Sequence, residues 1–390
     1  MSADEFGIIL LVASVVAILS RKLRLPYSVG LVAAGIGLTW LGAPIDLVLT
    51  PKLIFAFLLP PLIFEAALQI SWRPFRKDLP VTLTLAFFGV LLAAAIVAAG
   101  MHTFVGWSWL GSALFGALIA ATDPVSVIAA FKETKVDFRL SLLVESESLL
   151  NDGAAAVTFA ILVSIAQGQE LHLDAIVTSF GWMIGGSLVV GAAVAGVVLL
   201  AAGRTDDHLV EITLTTIAAF GSFATAEHLN MSGILASLAC ALVIGNVGWL
   251  GSISPTGREH VVSFWEYAAF LANSVVFVLI GGHEAHQGTR LFTIGAALAV
   301  AMMLFSRIAT VYPLCAMFGG SSLKVDIRYQ HVLVWGGLRG ALALALALAI
   351  PDVIPEKGPI ITVAFAVVAF SIFAQGLTMP LLIKKLDLAK

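Results

Sequence analysis

Five ionisable residues, Glu65, Asp123, Glu147, Asp152 and Arg339, sit inside long apolar runs of this sequence. A charge surrounded by hydrocarbon costs a few kcal/mol or more, so such residues are functional candidates by default. Asp123 lies in ALIAATDPVSVIAAF, about 13 residues or roughly 20 Å into its apolar run, and Pro124 follows it. Proline lacks the amide that a helix needs and clashes with the carbonyl four residues back, so a break is expected here. A broken helix at membrane depth is tolerated only inside protein or beside a watery cavity, and its freed carbonyls can bind ions. A plain proline kink carrying a solvated aspartate is the alternative.

Glu147, Ser148, Asn151 and Asp152 follow in LLVESESLLNDGAAAVTF. Ser148 and Asp152 are four apart and share a helix face. Glu147 and Asn151 share a second face, turned by about 100°. Glu145 is shallower and reads as an access or structural residue. Arg339 is bracketed by Gly336, Gly337 and Gly340, which permit unwinding or close approach. A permanently charged arginine at this depth wants a carboxylate, and Glu147 is the expected partner in a structural ion pair. Glu65 follows Pro60 and Pro61 at a depth compatible with the same cavity, or on a funnel wall leading to it. Arg307, Glu227 and Glu266 lack a visible partner or lie nearer segment ends, and read as structural. The histidines fall near membrane edges and read as solvated.

Carboxylates, a hydroxyl and freed carbonyls are hard oxygen ligands, suited to hard cations. A mid-membrane carboxylate also binds protons, so one site can hold a cation or a proton but not both. Alternating access at such a site is antiport. A passive channel, a sodium-coupled symporter of organic solutes and a membrane sensor are weaker readings of crowded acids at one depth.

The elements that must position these residues are membrane helices. The chain has 390 residues, 60% of them hydrophobic and only 12% charged, against about 25% charged in an ordinary soluble domain. With 21 Lys and Arg against 24 Asp and Glu, no basic surface exists for nucleic acid. Two cysteines, Cys240 and Cys315, are too few for a disulfide framework or a Cys-based zinc cluster. A membrane crossing takes about 20 mostly apolar residues. Thirteen candidates lie near 5–20, 27–42, 52–70, 79–104, 110–131, 140–167, 173–202, 208–228, 231–248, 261–282, 289–319, 328–350 and 358–384. With the N-terminus outside, inner loops hold sixteen Lys and Arg and outer loops three, Lys52, Arg290 and Lys357. That asymmetry supports an odd number of crossings with the C-terminus cytoplasmic. The acidic start, MSADEF, does not read as a cleaved signal. Residues 1–390 read as one integral membrane unit with no soluble tail domain.

Five ordered stretches carry a family resemblance: FLLPPLIFEAAL at 57–68, ATDPVSVIAAFKE at 121–133, LVESESLLNDGAAAVTFA at 143–160, MSGILASLACALVIGN at 231–246 and GGLRGALALALAL at 336–348. In these the chain resembles the monovalent cation/proton antiporters, specifically the NhaP-type sodium/proton exchangers. The resemblance implies an all-α fold of two inverted repeats, with two broken helices crossing at mid-membrane around Thr122–Pro124 and Gly336–Gly340. It implies a homodimer in membrane lipid, with core and dimerisation domains interleaved in sequence. It also implies exchange of Na+ (or Li+) for H+, with K+/H+ exchange as the alternative, and no cofactor. The implied cation ligands are Asp123, Asp152, Glu65, Ser148 and the Thr122 carbonyl. Asn151 with Asp152 matches the pair that marks electroneutral exchangers, and Glu147 with Arg339 matches the family's ion pair. Many relatives carry a long cytoplasmic tail that this chain nearly lacks, which points to a bacterial or archaeal source.

Overall fold

The computed structural model describes residues 3–23, 26–42, 50–169, 173–287 and 293–389. Three of the loop charges counted above, Arg24, Arg290 and Lys390, lie outside the described residues, as does the Lys132 side chain. Every regular element among the described residues is a helix. In chain order they are α1 (Ala3–Leu23), α2 (Tyr27–Trp40), α3 (Pro51–Gln69), α4 (Trp72–Val105), α5 (Trp109–Ala120), α6 (Val125–Thr134), α7 (Phe138–Ala166) and α8 (Leu173–Ala202). Then follow α9 (His208–His228), α10 (Gly233–Leu250), α11 (Pro255–Gln287), α12 (Ile294–Ala316), α13 (Ile327–Trp335), α14 (Ala341–Leu348) and α15 (Lys357–Lys385). Nine of these are long and apolar enough to cross a membrane, and α2 and α5 are shorter apolar helices. The protein is an all-helical, multi-pass membrane protein. Helices satisfy their backbone groups internally, which hydrocarbon demands.

Side-chain caps start helices where the chain turns back. Ser108 Oγ accepts from the Gly111 amide at 3.1 Å, and Asp137 Oδ1 accepts from the Arg139 amide at 2.9 Å. The ends of α4 and α7 are turned by Gly106 (φ 81°) and Gly168 (φ 88°). In α3, Pro60 and Pro61 cannot serve the Ala56 and Phe57 carbonyls. The helix widens over Ile54–Leu58, and the Leu59 amide reaches back five residues to Ile54. The paired prolines, with no amides to give, account for this disturbance.

The apolar runs at 110–131 and 328–350 each hold two short helices separated by an unwound stretch, at 121–124 and 336–340. These are the two breaks expected from Pro124 and from the glycines around Arg339. Both lie deep in the molecule. Residues Ala341–Ala347 of α14 are all buried, as are most of α5. By contrast α8 exposes Val177, Trp182, Val189, Val197 and Leu200, an apolar surface suited to lipid.

Small residues set one of the close crossings. A Cβ on Gly35 of α2 would lie 2.2 Å from the Val278 carbonyl oxygen of α11, and one on Gly281 would lie 2.1 Å from that of Val32. Only glycine lets these backbones meet.

Candidate functional site

The first break explains itself locally. Pro124 has no amide for the Ala120 carbonyl, and Ala121 is extended (φ −58°, ψ 140°). The last carbonyls of α5 therefore need donors from elsewhere. Arg339 supplies them: its Nη1 donates to Ala120 O at 2.9 Å and to Ala121 O at 2.8 Å. A buried guanidinium at a helix C-terminus also meets the negative end of the helix dipole. The expected Glu147–Arg339 ion pair is thus not made. Arg339 reaches backbone carbonyls, because the broken helix leaves acceptors at its own depth.

The second break answers the first. The Asp123 amide donates to the Leu338 carbonyl at 2.8 Å, so the two unwound stretches are tied in both directions. Asp123 Oδ1 accepts from the Val125 amide at 2.9 Å, at the start of α6. Gly340 leaves this carboxylate its room: a Cβ on it would lie 2.3 Å from Asp123 Oδ2.

Helix α7 presents two polar faces, as the four-residue spacings predict. On one, Ser148 Oγ donates to the Thr122 carbonyl, and Thr122 Oγ1 donates to Ser148 Oγ at 3.2 Å. Asp152 lies one turn further on this face, within electrostatic reach of Asp123, Glu147 and Arg339, and near the Thr122 amide. Its Oδ1 is buried with no donor. On the other face, Glu147 Oε1 accepts from Arg307 Nη1 at 2.9 Å and from Asn151 Nδ2 at 3.4 Å. Arg307 Nη2 donates to Leu333 O at 2.6 Å, near the end of α13. Glu147 has its arginine, but it is Arg307 of α12.

Thr122, Asp123, Ser148 and Asp152 therefore come together around the first break. Thr122, Ser148, Asn151, Glu147, Arg307 and Arg339 are all buried, whereas Asp123 and Asp152 are only half-buried. The two aspartates keep a little exposure, and their structural partners keep none to speak of. Glu65 stands on α3, half-buried, and accepts a hydrogen bond from Gln69 on the next turn. Glu227 accepts from the Gly233 amide at 3.0 Å, a structural cap at the start of α10. The structural role expected of Arg307 holds, though its partner Glu147 was assigned to Arg339; Gln375, whose Nε2 donates to Trp335 O at 2.9 Å, was not considered. The signal for both was present: each is a polar residue inside an apolar run.

Geometrically the site offers two carboxylates, a hydroxyl and a carbonyl at the mouth of two half-helices. Such an oxygen-only set can hold a small hard cation, or protons on the carboxylates.

Residues 9–385 match the family described as sodium/hydrogen exchanger, transmembrane. The chain is 38% identical over 393 residues to the Na(+)/H(+) antiporter ApNhaP of Aphanothece halophytica, spanning 99% of this chain and 75% of that protein. It is 37% identical over 389 residues to the Na(+)/H(+) antiporter NhaS2 of Synechocystis sp., spanning 99% of this chain and 71% of that protein. Among solved structures it is similar to the sodium proton antiporter MjNhaP1 from Methanocaldococcus jannaschii at pH 8. The TM-score is 0.80 at 19% identity, covering 98% of this chain and 97% of that one. At that identity the likeness speaks for the fold.

Proposed function

This chain belongs to the transmembrane sodium/hydrogen exchanger family, and from that premise we propose that it exchanges Na+ (or Li+) for H+ across the cell membrane by alternating access. Cation and proton compete for Asp123 and Asp152. The observation that carries this reading is that Asp123, Asp152, the Ser148 hydroxyl and the Thr122 carbonyl gather around the first break. Asp152 Oδ1 is buried with no donor, an acceptor left for a cation or a proton, while the groups that hold the breaks in place are tied to one another.

The cation is held by Asp123, Asp152, Ser148 and the Thr122 carbonyl, with Glu65 joining from α3. Ser148 and Thr122 already touch, so two of these oxygens are pre-positioned. The bound Na+ supplies the positive charge that the carboxylates otherwise take from protons, so the two substrates alternate rather than travel together. Each turnover moves one Na+ against one H+. Asn151 beside Asp152, and the absence of lysine from residues 327–348, support this electroneutral count.

The chain crosses the membrane thirteen times, with the N-terminus outside and the C-terminus in the cytoplasm, in keeping with the charge of its loops. Its helices form two inverted repeats, whose broken members are α5–α6 and α13–α14. It works as a homodimer. Glu147 and Arg307 form the structural ion pair of the core.

The test uses inside-out vesicles from cells lacking other antiporters. A proton gradient is established and followed with a pH-sensitive dye. Adding Na+ or Li+ should dissipate it. Dissipation by K+ alone, or no response to any of the three cations, would contradict the proposal.

A further inference from the structure

Helix α15 is irregular in one place. Over Ser371–Gly376 it widens into a single π turn, and Leu377 resumes the ordinary helix. Such turns are rare and frequently mark functional sites. This one carries Gln375, which is 0% exposed.

The α13–α14 break leaves α13 with carbonyls that need donors. Val332 O takes the Gly336 amide at 2.7 Å, and Gly336 O takes the Leu338 amide at 2.8 Å. Leu333 O takes Arg307. The last carbonyl of the helix, Trp335 O, takes Gln375 Nε2 at 2.9 Å. Three residues later, Leu338 O receives the Asp123 amide. The π turn also lies against this unwound stretch, since a Cβ on Gly376 would touch the Leu338 side chain at 3.7 Å. Gln375 thus sits at one end of a short tether whose other end is Asp123. Its Oε1 is buried with no donor, which is costly for a side chain kept only to fill space. A leucine would fill the same space without that cost.

We propose that Gln375 is a positioning residue for cation exchange: by gripping Trp335 O from the π turn it fixes where Leu338 O, and hence Asp123, stands. This rests on the reading of Asp123 as a substrate carrier. Losing the grip lets the break sample arrangements in which Asp123 is misplaced. The fraction of protein competent to bind Na+ falls, and the apparent KM for Na+ rises by the inverse of that fraction. Turnover at saturating Na+ is much less affected.

The test compares wild type with Gln375→Glu, Gln375→Asn and Ser371→Ala in proteoliposomes, measuring proton efflux against Na+ concentration at several pH values. Gln375→Glu keeps the shape and loses the amide donor. Gln375→Asn keeps the amide and is one methylene too short to reach. Ser371 is equally buried, its hydroxyl has no partner, and its loss controls for disturbing the turn. The expected result is a KM for Na+ raised about three- to tenfold in both Gln375 variants, the worth of one hydrogen bond. The pH profile moves with it, kcat changes less than about twofold, and Ser371→Ala matches wild type. A KM and pH profile unchanged in Gln375→Asn overturn the proposal, whether or not thermal stability falls. If wild type itself moves no protons in response to Na+, the functional reading fails first. If wild type exchanges and the variants keep its KM, only the role of Gln375 fails.

Discussion

Arg307 donates through one guanidinium nitrogen to Glu147 at 2.9 Å and through the other to the Leu333 carbonyl at 2.6 Å. One buried side chain therefore joins the polar helix α7 to the end of half-helix α13. Arg339 does the corresponding work at the other break, where it takes the carbonyls of Ala120 and Ala121. Each first half-helix ends on an arginine. The two cations hold the frame around which the two aspartates are set.

Removing one member of the Glu147–Arg307 pair leaves a buried charge without its partner, at a cost of about 3–5 kcal/mol. Glu147→Ala and Arg307→Ala should each lower yield and thermal stability in detergent. A double-mutant cycle should find strong coupling between positions 147 and 307, and weaker coupling between 147 and 339. Stronger coupling of Glu147 to Arg339 would reassign the pair.

Arg339→Ala should destabilise by a different route. It leaves the Ala120 and Ala121 carbonyls buried and unserved, each worth about 1–3 kcal/mol. Arg339→Lys keeps the charge and can reach one acceptor, so thermal unfolding should place it between alanine and wild type. Equal melting of the lysine and alanine variants would show that the charge contributes nothing at this helix end.

Gly340→Ala should fold and fail to exchange. The new methyl would lie 2.3 Å from Asp123 Oδ2, and overpacking of this kind costs about 1–3 kcal/mol. The easiest relief is to push the aspartate aside, so Na+-driven proton movement should fall more than about tenfold while the melting temperature drops by only a few degrees. Wild-type exchange by this variant would show that the carboxylate need not stand where it does.

Outside the membrane-spanning segments, Glu356 ties the start of α15 to Ser108 before α5. Burial alone would push its carboxyl up. The hydrogen bonds it accepts from the Ser108 amide and hydroxyl, at 2.9 and 3.2 Å, outweigh this and hold it below the ordinary glutamate range. A lowered folded-state value means stability that is present above the unfolded value and is lost as pH falls through the folded one. The stability gap between wild type and Glu356→Gln should therefore be full near neutrality and close in the acid range below the ordinary glutamate value. A gap that widens on acidification would contradict the assignment.

Much of this arrangement was legible from residue type and local spacing. Pro124 and the glycines beside Arg339 mark both breaks, because backbone chemistry acts within a turn. The spacing of Glu147, Ser148, Asn151 and Asp152 sorts them onto two faces for the same reason. The partner of Glu147 was not legible: Arg307 is 160 positions away, and nothing local distinguishes it from Arg339 as the nearer cation. Arg339 was misread because its acceptors are backbone carbonyls, which every residue carries and which matter only once a helix is broken. Gln375 was passed over because a single amide in an apolar run looks like ordinary helix packing until the π turn aims it.

The central claim, that Asp152 and Asp123 carry substrate, is tested most directly by one isosteric change. Wild type and Asp152→Asn are purified, shown to melt alike, and reconstituted in proteoliposomes with an imposed pH gradient. The account predicts that Na+ dissipates the gradient in wild type and leaves it untouched in Asp152→Asn. Na+-driven dissipation at the wild-type rate in Asp152→Asn would contradict it.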